Sequence, residues 1–286
     1  MVESSRGNVL ITGAGAGIGE LTVRLLVRRG YLVFAGVRGA APSLTDLPGV
    51  RVVPLDVTDS GSVAAAAELV RREVGPAGLR AVVNNAGVIV QGPLELVPPA
   101  ELRRQFEVNT FGPAYMVQAF LPLLRDGGGR VVNISAPSAR IPIPFMAPIS
   151  ASKAALASMS DALRVELAAW NIPVVVVEPA AAATAIFAKA SSAAQEALAA
   201  TDPDRVALYR DHLAAFAAAA AKQKLGPAEA IAEVVVTAVT AERPKRRYAA
   251  GRGARAFGAV AHLPGRLRDR LITGVFGLRN VQAGAR

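Results

Sequence analysis

Six runs in this chain, "NVLITG", "YLVFAGV", "VRVVPLD", "RAVVNNAG", "GRVVNIS" and "IPVVVVEP", are apolar along most of their length rather than at every second position. A strand that is hydrophobic on both faces needs cover on both, and a parallel sheet between two layers of helices supplies it. The intervening segments leave room for crossover helices, and residues 59–74, 99–124 and 150–170 read as three of them. The pattern predicts an α/β fold with a doubly wound parallel sheet in a single domain, although 286 residues would admit two. That domain is expected over residues 1–250. Within it the alternation lapses over the Ala-rich residues 180–225, which read as a lid made of a loop and helices. "GPAEAIAEVVVTAV" restores a helix with Pro227 at its start, and "RRYAAG" reads as a last strand.

Residues 12–19, "TGAGAGIG", follow the first run and open a helix. In such a turn Gly13 permits a tight bend, Gly17 lets the backbone approach a pyrophosphate, and Gly19 allows close helix packing, while the helix N-terminus faces the negative charge. The second run ends "AGVRG", placing Val37 and Arg38 where an acidic residue would receive the ribose hydroxyls of NAD. A guanidinium there can pair with a 2′-phosphate and stack on adenine, so Arg38 points to NADP as cofactor.

The glycine spacing, three residues and then one, differs from the common dinucleotide fingerprint and resembles that of the short-chain dehydrogenase/reductase family. The resemblance widens at "LDV" (Asp56, Val57), "NNAG" (Asn84 to Gly87), "VNTFG" (Asn109) and "SASKAAL" (Lys153), and runs from about Asn8 to Tyr248. It implies an oxidoreductase that uses NADP(H), with Thr12, Ile18, Asn84, Ala86, Gly87 and Pro179 along the cofactor. By the same resemblance Asp56 and Val57 flank the adenine, Thr184 reaches the nicotinamide carboxamide, and Asn109 and Lys153 belong to the catalytic set. Lys153 would also hold the nicotinamide ribose. A homodimer or homotetramer formed through the long middle helix is implied as well.

The family's catalytic set is an Asn, a Ser, a Tyr and a Lys, with the Tyr four residues before the Lys and the Ser thirteen before the Tyr. Counting back from Lys153 gives Ile149 and then Ala136. Neither side chain can hold or protonate a carbonyl oxygen. Loss of general acid catalysis costs about a hundredfold to ten thousandfold, and loss of an oxyanion donor about a hundredfold more, so plain ketone or alcohol turnover is expected to be very poor. Ser135, Ser138 and Ser150 lie nearby but read as hydroxyls satisfied by backbone, and Tyr209, Asp211 and His212 as a solvated face of the lid. Ala180 stands where the family usually has a glycine. The wall around Ala136 and Ile149, "APSARIPIPFM" with the Ala-rich lid, is apolar and suits a lipophilic or polyketide-like small molecule. Three functions stay open: a reductase for a substrate needing little acid help, a non-redox cyclase, isomerase or dehydratase, and a silent NADPH sensor or partner subunit.

Composition narrows the remaining classes. Cysteine is absent, which removes disulfides, thiolate metal sites and thiol nucleophiles. His212 and His262 stand apart without a ligand pattern, so no metal is expected. The net charge of +10 gathers in the last quarter, at Arg243, Lys245, Arg246, Arg247, Arg252, Arg255, Arg266, Arg268 and Arg270. Without zinc-finger spacing or interleaved aromatics it reads as a solvated basic surface, not a nucleic-acid interface. The start carries no secretory pattern and "LAAFAAAAA" is too short to span a bilayer, so a soluble, cytoplasmic protein is expected. Residues 251–286 form a basic extension in which Leu263, Leu267, Leu271 and Val275 recur every fourth position. Docking of that helix on its own or a neighbouring subunit is preferred over an anionic membrane.

Overall fold

The computed structural model describes residues 6–279 and 281, so residues 1–5 of the expected domain and residues 280 and 282–286 of the expected extension lie outside the description. The strands are β1 (Asn8–Thr12), β2 (Leu32–Val37), β3 (Val50–Pro54), β4 (Ala81–Asn84), β5 (Arg130–Ile134), β6 (Val174–Pro179) and β7 (Arg247–Ala250). They form one sheet in the order β3-β2-β1-β4-β5-β6-β7 with every pair parallel. The helices are α1 (Gly17–Arg28), α2 (Pro42–Thr45), α3 (Ser60–Val74), α4 (Pro99–Phe106), α5 (Gly112–Asp126), α6 (Ala147–Glu166), α7 (Ala185–Ala199), α8 (Pro203–Ala207), α9 (Arg210–Ala221), α10 (Ala228–Thr240), α11 (Ala254–Val260) and α12 (Gly265–Val275).

The doubly apolar strands are covered as the pattern demands. Val9, Ile11, Val132 and Val175 pack under α1 and α10, while Leu10, Val82, Val131 and Val174 pack under α3, α5 and α6. Strand order reverses between β1 and β4, which opens a crevice at the C-terminal ends of the strands. At the opposite end of the sheet the buried Arg130 donates to the carbonyl oxygens of Ala238 (3.0 Å) and Ala241 (2.6 Å), satisfying the C-terminus of α10.

Two helices differ from their expected spans. The stretch 99–124 is not one regular helix: a π-helical turn, Glu107–Phe111, separates α4 from α5. Its centre, Asn109, is fully buried and tied to the β4–α4 segment, its Oδ1 accepting from Val88 N–H and its Nδ2 donating to Val88 C=O, each at 2.9 Å. The helix widens where this residue is drawn out of the regular repeat. The next helix starts at Ala147, not Ser150, because Pro148 fits the first turn, where its missing N–H is no loss. Residues 167–170 follow it as a 3-10 turn.

Helices α7, α8 and α9 occupy the segment read as a lid. A parallel bridge between Ala182 and Gly226 ties the two ends of this insertion together, through Ala183 N–H to Gly226 C=O and Gly226 N–H to Ala181 C=O, both 3.1 Å. The C-terminal α12 docks on the same chain, but not by the expected stripe. Buried Phe276 stacks on Phe216 of α9 at 5.2 Å between centroids, and Phe216 meets the edge of Phe145 at 5.5 Å. Leu267, Leu271 and Val275 face outward, 46, 39 and 62% exposed. Among the described residues no helix is long and apolar enough to cross a membrane.

Candidate active site

The glycine turn is built by close approach to β4. Gly13 has φ +63°, and a Cβ there would lie 2.8 Å from the Cα of Ala86, so both the conformation and the space require glycine. At Gly19 a Cβ would meet the Gly13 carbonyl oxygen at 2.4 Å and Asn85 Nδ2 at 2.6 Å. Thr12 secures the turn: its Oγ1 accepts from the N–H groups of Asn85 (3.0 Å) and Ala86 (2.9 Å). Asn85 answers by donating from Nδ2 to the carbonyls of Thr12 and Gly13, at 3.0 and 3.1 Å. The resemblance assigns "NNAG" a supporting role as a whole, and no signal in the sequence singles out Asn85 within it. Helix α1, which begins at Gly17 beside Ile18, has no side-chain cap on its first turn. Uncapped N–H groups at a helix N-terminus have the chemistry of an anion-binding surface.

The remaining cofactor candidates line the same crevice. Arg38 is exposed just beyond β2 and makes no hydrogen bond or ion pair among the described residues. Asp56 Oδ1 accepts from the Thr58 N–H and hydroxyl, at 2.9 and 2.7 Å. Burial pulls the Asp56 carboxyl upward, yet the Thr58 hydrogen bonds and the charge of Arg38 hold it below its ordinary value. Val57 packs on Gly112, where a Cβ would lie 2.9 Å from it. Thr184, which precedes α7, sits across from Gly17, its Cγ2 3.4 Å from where a Cβ would be. Pro179 ends β6, and Ala180 N–H bonds to Ala250 C=O at 2.8 Å.

Deeper in the crevice three neighbouring pieces of chain bring together Asn109 from the π-helical turn, Ala136 from the segment after β5, and Ile149 and Lys153 from α6. Lys153 is buried and donates from Nζ to the Ile134 carbonyl at 2.7 Å; burial alone pulls it down to about 8. No carboxylate contributes to that shift. Asn109 Nδ2 also reaches Ser152 Oγ at 3.4 Å, and an added Cβ on Gly87 would lie 3.4 Å from Asn109 Oδ1 and 3.8 Å from Lys153 Nζ. Ile149, one helical turn before Lys153 on α6, is 6% exposed, and Ala136 follows β5 in extended conformation. Gln105, which sequence reasoning missed, is fully buried and braces the same wall: Oε1 accepts from Val90 N–H at 2.7 Å and Nε2 donates to Val88 C=O at 2.9 Å.

The serines near the vacant hydroxyl positions are engaged with backbone, apart from one. Ser135 donates to Lys153 C=O at 3.3 Å, and Ser150 accepts from Ile143 N–H at 3.5 Å. Ser138 is buried without a hydrogen bond among the described residues. Asn84 is drawn into the sheet's interior, donating to Asn133 Oδ1 at 2.8 Å, and Asn133 in turn donates to Ser160. On the exposed surface Tyr209 donates to Glu95 Oε2 at 2.7 Å, and Arg205 donates to the Glu95 carbonyl oxygen at 3.1 Å. The Tyr209 hydrogen bond leads the causes that hold Glu95 below its usual range. The cleft beneath is narrow and chiefly apolar, between Val90, Leu96 and Val97 on one side and Ala190, Ala194 and Leu198 of α7 on the other.

This architecture has known counterparts. Residues 7–195 match the family model of the short chain dehydrogenases. The chain is 33% identical to an NADPH-dependent 3-dehydrocapnine reductase from Ornithobacterium rhinotracheale, over 92% of this chain and 94% of that protein. It is 37% identical to estradiol 17-beta-dehydrogenase 2 from Rattus norvegicus over 58% of this chain, and spans 45% of that longer relative. A short chain dehydrogenase from Burkholderia cenocepacia J2315, solved in complex with NADP, superposes with a TM-score of 0.73 at 28% identity, covering 93% of this chain and 98% of that one. The chain belongs to the short-chain dehydrogenase/reductase family.

Proposed function

We propose that this protein binds NADP(H) and reduces a lipophilic substrate that needs little acid assistance, such as an iminium, a quinone methide or a conjugated enone. The observation that carries the reading is a hydrocarbon, Ile149, one turn from a buried Lys153 that has no acidic partner. When bound, the cofactor supplies a hydride.

This chain's residues fit that group. The turn at Gly13 and Gly19 has no room for a side chain, the first turn of α1 is uncapped, and Arg38 is free to meet a 2′-phosphate. A relative named for NADPH and a structural neighbour holding NADP support the choice of nucleotide. Asp56 and Val57 would border the adenine, and Thr184 with Pro179 the nicotinamide end. Lys153 would hold the ribose with the N–H groups that Ile134 leaves free. Asn109 positions the Val88 backbone beside it.

Ile149 and Ala136 stand where the family's Tyr and Ser would act, so no hydroxyl at those two positions feeds a proton to a nascent alkoxide. An electrophile that already carries charge, or that spreads it by conjugation, avoids that need. The chiefly apolar lining of the cleft between the Val90–Val97 wall and the alanines of α7 supports a lipophilic substrate. Helices α7 to α9 would form its lid, with their two ends tied by the Ala182–Gly226 bridge.

The experiment is single-turnover loss of NADPH absorbance with those three classes of electrophile. Hydride transfer to at least one is expected, with NADPH bound at least tenfold tighter than NADH and that preference lost in Arg38→Asp. Product formed with either oxidation state of the nucleotide, without its consumption, would replace this reading by a non-redox isomerisation or cyclisation. Silence throughout, with NADPH still bound, would favour a sensor.

A further inference from the structure

Helix α12 has two apolar faces, and the fold uses one. At about 100° per residue, Phe276 falls about 180° from Leu267 on the helix wheel. Phe276 is buried against Phe216, whereas Leu267, Leu271 and Val275 form a stripe left in solvent. Arg266 and Arg270 flank one side of that stripe, and Arg268 the other. The single acid of the helix, Asp269, lies about 160° from Leu267, on the docked side. The far end is fixed rather than frayed: Arg279 donates to the Arg270 carbonyl from Nε (3.3 Å) and Nη2 (3.0 Å).

We infer that this outward face of α12 rests on an anionic lipid bilayer, with Leu267, Leu271 and Val275 entering the acyl boundary and Arg266 and Arg270 meeting the headgroups. Charge selects this occupant over a second copy of the chain. A two-fold contact through the stripe would gather the arginines of both copies into one interface, while Asp269 lies on the docked side, on a chain that already carries +10. Anionic lipid supplies opposite charge and an apolar interior together. The docked face, through Phe216, reaches Phe145, four residues before Ile149, so the contact lies beside the lid over the cleft where a lipophilic substrate is proposed to bind. The outward face of α12 would meet lipid whatever the reaction.

The test is co-sedimentation of the full chain with phosphatidylcholine vesicles, with and without phosphatidylglycerol. Binding is expected only with phosphatidylglycerol, and it should weaken as salt is raised. Leu271→Glu should lower it at least tenfold, and Arg266→Gln and Arg270→Gln about fivefold each. Thermal melting should not move, because all three positions are exposed. Lack of binding at low salt would overturn the proposal. Equal binding by Leu271→Glu and the parent would do so too, since attraction would then come from basic charge elsewhere. A dimer of the parent chain abolished by Leu271→Glu, without vesicle binding, would name a second copy as the occupant.

Discussion

At the scale of single residues, a buried lysine stands one helical turn from a buried hydrocarbon, Ile149. Lys153 keeps one hydrogen bond, to a carbonyl, inside a pocket that lowers it from 10.5 to about 8. Below about pH 8 the ammonium is charged in both the folded and the unfolded chain, and its burial destabilises the fold in full. As pH rises from about 8 toward 10.5 the native state sheds its proton first, so the unfolded state binds more protons and stability rises. Relative to Lys153→Met, the parent should gain about 3 kcal/mol across that window, measured by urea unfolding at closely spaced pH values. The same deprotonation should weaken nucleotide binding above pH 8, a dependence that Lys153→Met should not share. Ile149 and Ala136 were legible only against the pattern of the family the sequence resembles, by counting back from Lys153. Asn85 and Gln105 were not, because their partners, the Thr12–Gly13 carbonyls and the Val88–Val90 backbone, lie at long range or around a bend that local pattern does not encode.

At the scale of elements, buried charge and side-chain bonds fix the pieces around the crevice. Glu178, 2% exposed on β6, pairs with Arg140 of the β5–α6 loop at 2.6 Å and with Arg247 of β7 at 2.9 Å. Glu178→Ala strands Arg140 and leaves Arg247 with Asp161, 2.8 Å away; it should cost about 3 kcal/mol by denaturant unfolding, near the lower end for broken buried pairs because Arg247 keeps that partner and both arginines keep some solvent. Glu178→Gln should cost less. The lid is held by the Tyr209 and Arg205 bonds to Glu95. Tyr209→Phe combined with Arg205→Ala should speed tryptic cleavage at Lys222 and Lys224 several-fold while the core stays resistant. Strands and crossover helices could be read from the sequence because burial on both faces leaves an unbroken apolar signature. The π-helical turn could not be placed by periodicity, since a single widened turn leaves the apolar stripe of α4 and α5 nearly in phase. The face by which α12 docks was misjudged for a related reason: spacing identifies an apolar stripe, but only the tertiary fold decides whether a neighbour covers it. Phe276 stands outside the four-residue series, so nothing local marked it as the anchor.

At the scale of the whole molecule, the sheet reversal between β1 and β4 gathers the nucleotide-binding candidates, and the Ala182–Gly226 bridge ties the two ends of the α7–α9 insertion together. The short chain dehydrogenase model matches residues 7–195, and under the proposed reading, with Ile149 and Ala136 in place of hydroxyls, binding and proton supply become separable properties. Their separation can be measured in one experiment: single-turnover reduction by NADPH of a plain lipophilic ketone by the parent chain and by Ile149→Tyr combined with Ala136→Ser. A tyrosine adds volume at a buried position and should cost about 1–3 kcal/mol of stability, so nucleotide affinity is titrated in both proteins as the control for folding. The parent should bind NADPH as tightly as the doubly substituted chain yet reduce the ketone about a thousandfold more slowly or worse. Equal rates, or a faster parent, would contradict the account.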